Sequence, residues 1–131
     1  IVVRLVGSEM CIRDSHGCKC FSTQGNFVTK YKLIYFVPRS HLELTKNSLF
    51  EIGCGVQGNY SHCSWEVEGT GQFLPEDLSN PTLGDVGKIS RIQEFRVEIL
   101  CPENFLEVAR DTLLKNHPYE HPAYEFVKVK V

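Results

Sequence analysis

The chain has 131 residues, 14 basic and 16 acidic, with a formal net charge of −2. That length supports one domain core rather than two. The acidic balance offers no basic stripe for nucleic acid, and no run approaches the ~18 consecutive apolar residues of a membrane span.

The first stretch of note is RLVGSEMCIRDS, Arg4 to Ser15, which has neither a helical nor a strand period. Back-translated, Leu5 to Asp14 resembles the transposon adapter used to fragment DNA for sequencing. Residues 1–15 therefore read as an adapter-derived artefact and are set aside before any fold reasoning. Residues 16–29 read as a disordered or non-native leader, with Val28 as a GTG start. The alternative is a genuine tail in which His16, Cys18 and Cys20 form a weak metal cluster, short of the Cys-x-x-Cys spacing of a closed zinc site. No charged n-region followed by a long apolar h-region opens the chain. Of the six cysteines, Cys54, Cys63 and Cys101 fall in the remaining domain, 30–131. An odd, sparse set fits reduced thiols in a cytosol better than a disulfide framework.

From Tyr31 the pattern becomes regular. YKLIYFVPRSHLELTKNSLFE, 31–51, aligns without a gap on FRVEILCPENFLEVARDTLLK, 95–115, at an offset of 64 residues. Each copy predicts a strand, a Pro-containing turn and an amphipathic helix. Leu42, Leu49 and Ile52, with Phe50 beside them, make the apolar stripe of the first helix; Leu106, Ala109, Leu113 and Leu114 make that of the second. Ser40 with Glu43 predicts a capping box, and Asn104 with Glu107 imitates it. Gly53 and Gly55 end the first helix, and His117-Pro118 ends the second. Between the copies, Asn59 to Leu74 alternates as a strand, in which His62 faces outward if Cys63 and Trp65 lie inward, and Gly69 and Gly71 suggest a bulge or sharp bend. PEDLSNPTLGDVGK is a loop. AYEFVKVKV closes the chain as a strand, with Tyr124 and Phe126 opposite its valines.

The order β-α-β-β-α-β predicts an α+β, ferredoxin-like sandwich, a four-stranded antiparallel sheet with two helices on one face. YKLIYFV is apolar on both faces, so its second face needs a cover. Either another subunit supplies it or the long loop folds over the sheet.

Three stretches could carry chemistry. In GNYSHCSW, His62 neighbours Cys63 and so points to the opposite sheet face; it is either a buried, hydrogen-bonded histidine or a ligand. The Gly-rich EGTGQFLPEDLSNPTLGDVGK lacks P-loop spacing but could lie over a ligand. In HPYEHPAYE, prolines fix the backbone around His117, Tyr119, Glu120 and His121. His117, Glu120 and His121 suit a divalent ion or an anionic small molecule; alternatively, Tyr119 packs on the core and His117 caps helix carbonyls. No catalytic constellation is readable.

HPYEHPAYE, with YFVPRSHLE, GNYSHCSW, EGTGQF and NPTLGDVGK, resembles the YqfO-type domain. That domain is similar in fold to CutA and PII proteins. It occurs alone or inserted in the larger Ngg-interacting-factor-three-like proteins with a dinuclear metal centre, whose metal motifs lie in lobes missing from this sequence. The resemblance implies a CutA/PII-like sandwich prone to form homotrimers, with sites in subunit clefts. It also implies a ligand role for Tyr119 and Glu120, because HPYEHP is similar to a turn of CutA, for which metal binding has been proposed. The expectation is a non-enzymatic, cytoplasmic homo-oligomer binding a divalent metal ion or small metabolite at His62, His117, Tyr119, Glu120 and His121, with no nucleic-acid or membrane partner. The alternatives are a detached regulatory cap of a dinuclear-metal hydrolase-like protein, or a purely structural assembly module.

Overall fold

The computed structural model describes residues 29–77, 79–81 and 83–131; the adapter reading, the leader reading up to Val28 and the His16/Cys18/Cys20 reading lie outside the described residues. β1 (Thr29–Val37), α1 (Arg39–Glu51), β2 (Trp65–Phe73), β3 (Ser90–Cys101), a 3-10 turn (Glu103–Phe105), α2 (Leu106–Asn116) and β4 (Tyr124–Lys130) follow one another. The sheet runs β2-β3-β1-β4 with every neighbouring pair antiparallel. The expected ferredoxin-like sandwich is what forms.

Burial on the helix side follows from strand alternation. Leu33, Tyr35 and Val37 of β1 and Val97, Ile99 and Cys101 of β3 point to one face, each no more than 1% exposed. Leu42, Thr45 and Leu49 of α1 and Ala109 and Leu113 of α2 close on them. Fully burying one such aliphatic side chain contributes about 1.5–3 kcal/mol. Thr45 is a polar member that the apolar stripe did not announce. Its hydroxyl donates to the His41 and Leu42 carbonyls and accepts from the Tyr35 hydroxyl at 3.0 Å, so burial leaves none of these groups unpaired. Leu114, expected in the stripe, is exposed. Cys54, Cys63 and Cys101 are free thiols.

The helix ends differ from expectation at their starts and agree at their stops. No side chain caps either N-terminus: Pro38 and Phe105 occupy the N-cap positions, and Ser40 instead bonds His41. Pro38, fixed at φ −70°, sets the entry, and its carbonyl accepts from His41 N–H. Asn104 is taken into the 3-10 turn. At the other end of α1, Cys54 N–H bonds the Leu49 carbonyl and Gly53 N–H the Phe50 carbonyl, with Gly53 at φ 110°. This is a Schellman closure, which needs a left-handed residue at that point. α2 stops at Asn116, where His117 turns extended before Pro118.

The second strand is shorter than its sequence pattern. It begins at Trp65, after a tight turn in which Gln57 and Tyr60 pair. Trp65 stands opposite Glu98, as does Ile34 on the other side of β3, so Trp65 lies on the open face and not inward. β2 pairs in unbroken register through Gly69 and Gly71, without a bulge. A Cβ at Gly71 would sit 2.2 Å from the Glu94 carboxylate opposite-neighbouring it, so this glycine makes room for Glu94 rather than bending the strand.

The open face is mixed. Ile34 is only 6% exposed although neither of the described helices lies over it. Across the middle runs a charged chain: Lys32 pairs with Glu98 at 3.2 Å and Arg96 with Glu98 at 3.3 Å. The apolar outer surface read from β1 is therefore interrupted by β3. At the Phe36 end, the loop after β2 folds across it.

Candidate functional site

That loop, the C-terminal end of β2 and the turn after α2 enclose a cavity of about 440 Å³. This is within the range of small-molecule sites. Phe36, Phe73, Ile92 and Leu83 supply apolar wall, and Tyr119, Glu94 and Glu120 supply polar atoms. Glu94 comes from the open-face side of β3; Tyr119 and Glu120 come from the turn that Pro118 and Pro122 stiffen.

His117 holds that turn in place. It is 7% exposed. Its Nε2 bonds the Phe36 carbonyl, and its Nδ1 accepts from Tyr119 N–H at 3.2 Å. One nitrogen must donate and the other accept, so this pair of bonds defines the neutral Nε2–H tautomer. Burial pushes the imidazole below its ordinary range, with His41 adding to the shift and the Phe36 bond only partly opposing it. The carbonyl it satisfies belongs to a strand, not to a helix as one sequence reading had it. With both ring nitrogens engaged, His117 positions the cavity wall and does not line the cavity.

Its neighbour Tyr119 packs edge-on against the His117 ring, at 4.8 Å between centroids. The Tyr119 hydroxyl donates to Glu94 Oε2 at 3.4 Å. Burial raises Glu94 above the usual carboxylate range, against the pull of that bond. Burial first, and then the Glu94 charge, push the Tyr119 phenol up to about 12. Glu120 accepts from the Asn80 backbone N–H through both carboxylate oxygens, at 3.1 and 3.2 Å. This ties the loop to the turn. His121 lines the same cavity from its exposed rim.

Of the residues singled out from sequence, the fold thus brings Tyr119, Glu120 and His121 to one cavity, with His117 behind them. His62 is elsewhere. It sits with φ 58° in the turn before β2, exposed, bonded to Ser61, its ring tilted at 54° against Phe50 with 4.9 Å between centroids. Neither a strand position nor burial holds for it. Cys63 N–H bonds the Gly55 carbonyl and Gly55 N–H the Leu100 carbonyl, on the part of β3 that pairs with the start of β1, whereas His117 bonds Phe36 near the end of β1, so the two histidines lie at opposite ends of the sheet. Among the described residues, no three His, Cys, Asp or Glu side chains are arranged to hold a metal ion. Sequence reasoning missed Glu94, Phe36 and Phe73. Their signal was present in the outward position of Glu94 and Phe36 on their strands, but became legible only once the loop was seen to cover that end.

The fold defines a class first. Solved structures similar to this chain include CutA, the periplasmic divalent cation tolerance protein of Archaeoglobus fulgidus, at a TM-score of 0.56 and 16% identity over 78% of this chain and 84% of that one. At that identity the likeness is one of fold, and it places the chain in the CutA/PII-like, ferredoxin-like class. No family model matches the chain.

Closer relatives narrow the class. The Bacillus cereus protein related to NIF3 superposes at a TM-score of 0.69 with 32% identity, over 80% of this chain and 27% of that one. The GTP cyclohydrolase 1 type 2 homolog of Mycobacterium leprae is 42% identical over 94 residues, 72% of this chain and 24% of its own length. The Staphylococcus aureus homolog of the same name is 32% identical over 125 residues, 95% of this chain and 34% of its own length. The chain is thus a homologue of the NIF3-related proteins, and it spans about a quarter to a third of the length of the curated relatives it matches. Among the described residues, no helix is long and apolar enough to cross a membrane.

Proposed function

We propose that this chain is a non-enzymatic, cytoplasmic binding module that holds a small organic molecule in the cavity under the loop after β2. The observation that carries the reading is convergence. Two of the three stretches singled out for chemistry, far apart in sequence, meet around one cavity of about 440 Å³, with the Asn80–Glu120 bond as the latch between them. Self-association through the open sheet face is part of the same reading. It is supported by Val67, beside Trp65 on one edge strand, and Val127 on the other edge strand, each more than 40% exposed on that face. A copy seated there would border the cavity mouth.

The test is a metabolite screen read by backbone amide NMR on the full chain, with light scattering on the same sample. A ligand that shifts Phe36, Phe73, Ile92 and Tyr119 together, in a protein larger than a monomer, supports the reading. A metal ion that shifts His121 and Glu120 while organic compounds leave the cavity unmoved would replace it with the metal site expected from sequence. The absence of any bound compound, in an assembled protein, would leave a structural assembly module.

One observation favours a second reading. The similarity covers only about a quarter of relatives named GTP cyclohydrolase 1 type 2 homolog, so the module could serve as the regulatory cap of a larger hydrolase-like protein. Co-purification with a protein carrying the remaining part of such a relative would establish it.

A further inference from the structure

The charge of the cavity is one-sided. Its described lining contains Glu76, Glu94 and Glu120 against one histidine, His121 at the exposed rim, and among the described lining residues there is no Lys or Arg. An anionic ligand would meet these carboxylates without a fixed positive partner, in a site where part of the water has been replaced by aromatic and aliphatic wall. A cation would meet the reverse.

The three carboxylates are not equivalent. Glu120 is exposed, and its two oxygens share the single Asn80 N–H, which ties it to the loop. Glu76 is exposed, at the start of the loop. Glu94 is half-buried, stands on a central strand and is held over Gly71, where a side chain would collide with it. A carboxylate has room for about four hydrogen bonds. The Tyr119 hydroxyl gives Glu94 one, at 3.4 Å, longer than an ordinary O–H···O bond. Beside it, Phe36, Phe73 and Tyr119 offer aromatic surface, which attracts a cation as well as an apolar body. The carboxylates do not converge as a metal site would require, so the match is to an organic cation.

From this we infer that the cavity selects an organic ammonium or amidinium compound, its charged end on Glu94 and its flat apolar body against Phe36 and Phe73. The inference rests on the cavity being a ligand site, as proposed above, and adds the chemical class and the anchoring residue.

Three matched probes separate the two claims: phenethylamine, phenethyl alcohol and phenylacetate, each titrated to millimolar concentration into the full chain and followed by backbone amide NMR. The expected result is that all measurable binding maps to the cavity and that the amine binds tighter than the alcohol by on the order of tenfold or more. Phenylacetate is expected to bind weakest. Glu94→Gln, which keeps the side-chain shape, should abolish the amine's advantage while leaving alcohol binding in place; an unchanged amide spectrum away from the cavity shows that it folds. Glu68→Gln, an exposed carboxylate outside the cavity lining, should leave the advantage intact. Equal binding of amine and alcohol would overturn the cation preference while leaving the cavity a ligand site. An advantage that survives Glu94→Gln would overturn the anchoring role. If no probe moves a cavity resonance, the cation inference and the ligand-site reading fall together.

Discussion

The two faces of the sheet use the same strands for opposite purposes. On the helix side, β1 and β3 present Leu33, Tyr35, Val37, Val97 and Ile99, all sealed. On the open side, the same strands alternate Lys32, Ile34 and Phe36 with Glu94, Arg96 and Glu98. The helix side is a dry core whose polar guests, Tyr35 and Thr45, satisfy each other. The open side is charged across its middle and apolar at one end, and that end is where the loop after β2 arches over. A face built only for stability has no reason to bury a carboxylate such as Glu94 against aromatic rings. A face built to receive a ligand does.

Substitutions can break or sharpen this contrast. The largest effect is expected from Leu49→Ala, fully buried between α1 and the sheet, which should cost about 2–5 kcal/mol in urea unfolding. Val127→Ala on the open face, 42% exposed, should change stability by less than about 0.5 kcal/mol. Comparable losses for the two would erase the distinction between the faces.

Tyr35→Phe should cost about 1 kcal/mol, the net worth of one buried hydrogen bond, because Thr45 keeps its helix carbonyl partners. A much larger loss would mean that the hydroxyl supports more than Thr45.

His117 gives a pH signature. Its folded-state pKa lies below the unfolded value of about 6.5, so at mildly acidic pH the unfolded chain binds the extra proton. Its contribution is fully present above pH ~6.5 and is lost as pH falls from there through the depressed folded value. Unfolding curves of wild type and His117→Gln between pH 8 and 5 should therefore differ in slope below about 6.5, with the variant flatter. Parallel slopes would show that His117 is not held neutral by the Phe36 and Tyr119 bonds.

Two smaller changes bear on the cavity and the edge. Gly71→Ala should displace the Glu94 carboxylate, which is the flexible end of a side chain. It should change stability by less than about 1 kcal/mol, yet alter chemical shifts at Tyr119 and any binding there. Glu68→Gln, which removes the exposed pair with Arg39 at 3.3 Å, should fall within about 0.5 kcal/mol of wild type.

The fold was legible because its signals are local and repeated. The two strand-turn-helix copies carry their period in every turn, and Gly53 and Pro118 mark stops that backbone geometry enforces. The helix starts misled because Ser40-x-x-Glu43 satisfies the pattern of a capping box while Pro38, two positions before Ser40, already sets the entry. Alternation from Asn59 misled for a related reason: a left-handed His62 ends the extended backbone before Trp65, and the enrichment of histidine in that conformation is too weak a preference to mark one position. As for the site, HPYEHP was visible by its paired prolines. Glu94 was not, since an outward glutamate on a strand looks like a solvated face until a distant loop covers it.

The central claim is that the loop-covered end of the open face is a binding site, and the most direct measurement is a crystal or NMR structure of the chain with a compound taken from the screen. The account places that compound between Phe36, Phe73 and Tyr119, within hydrogen-bonding reach of Glu94. A compound seated at the His62 end of the sheet, with the cavity beneath the loop empty, would contradict it.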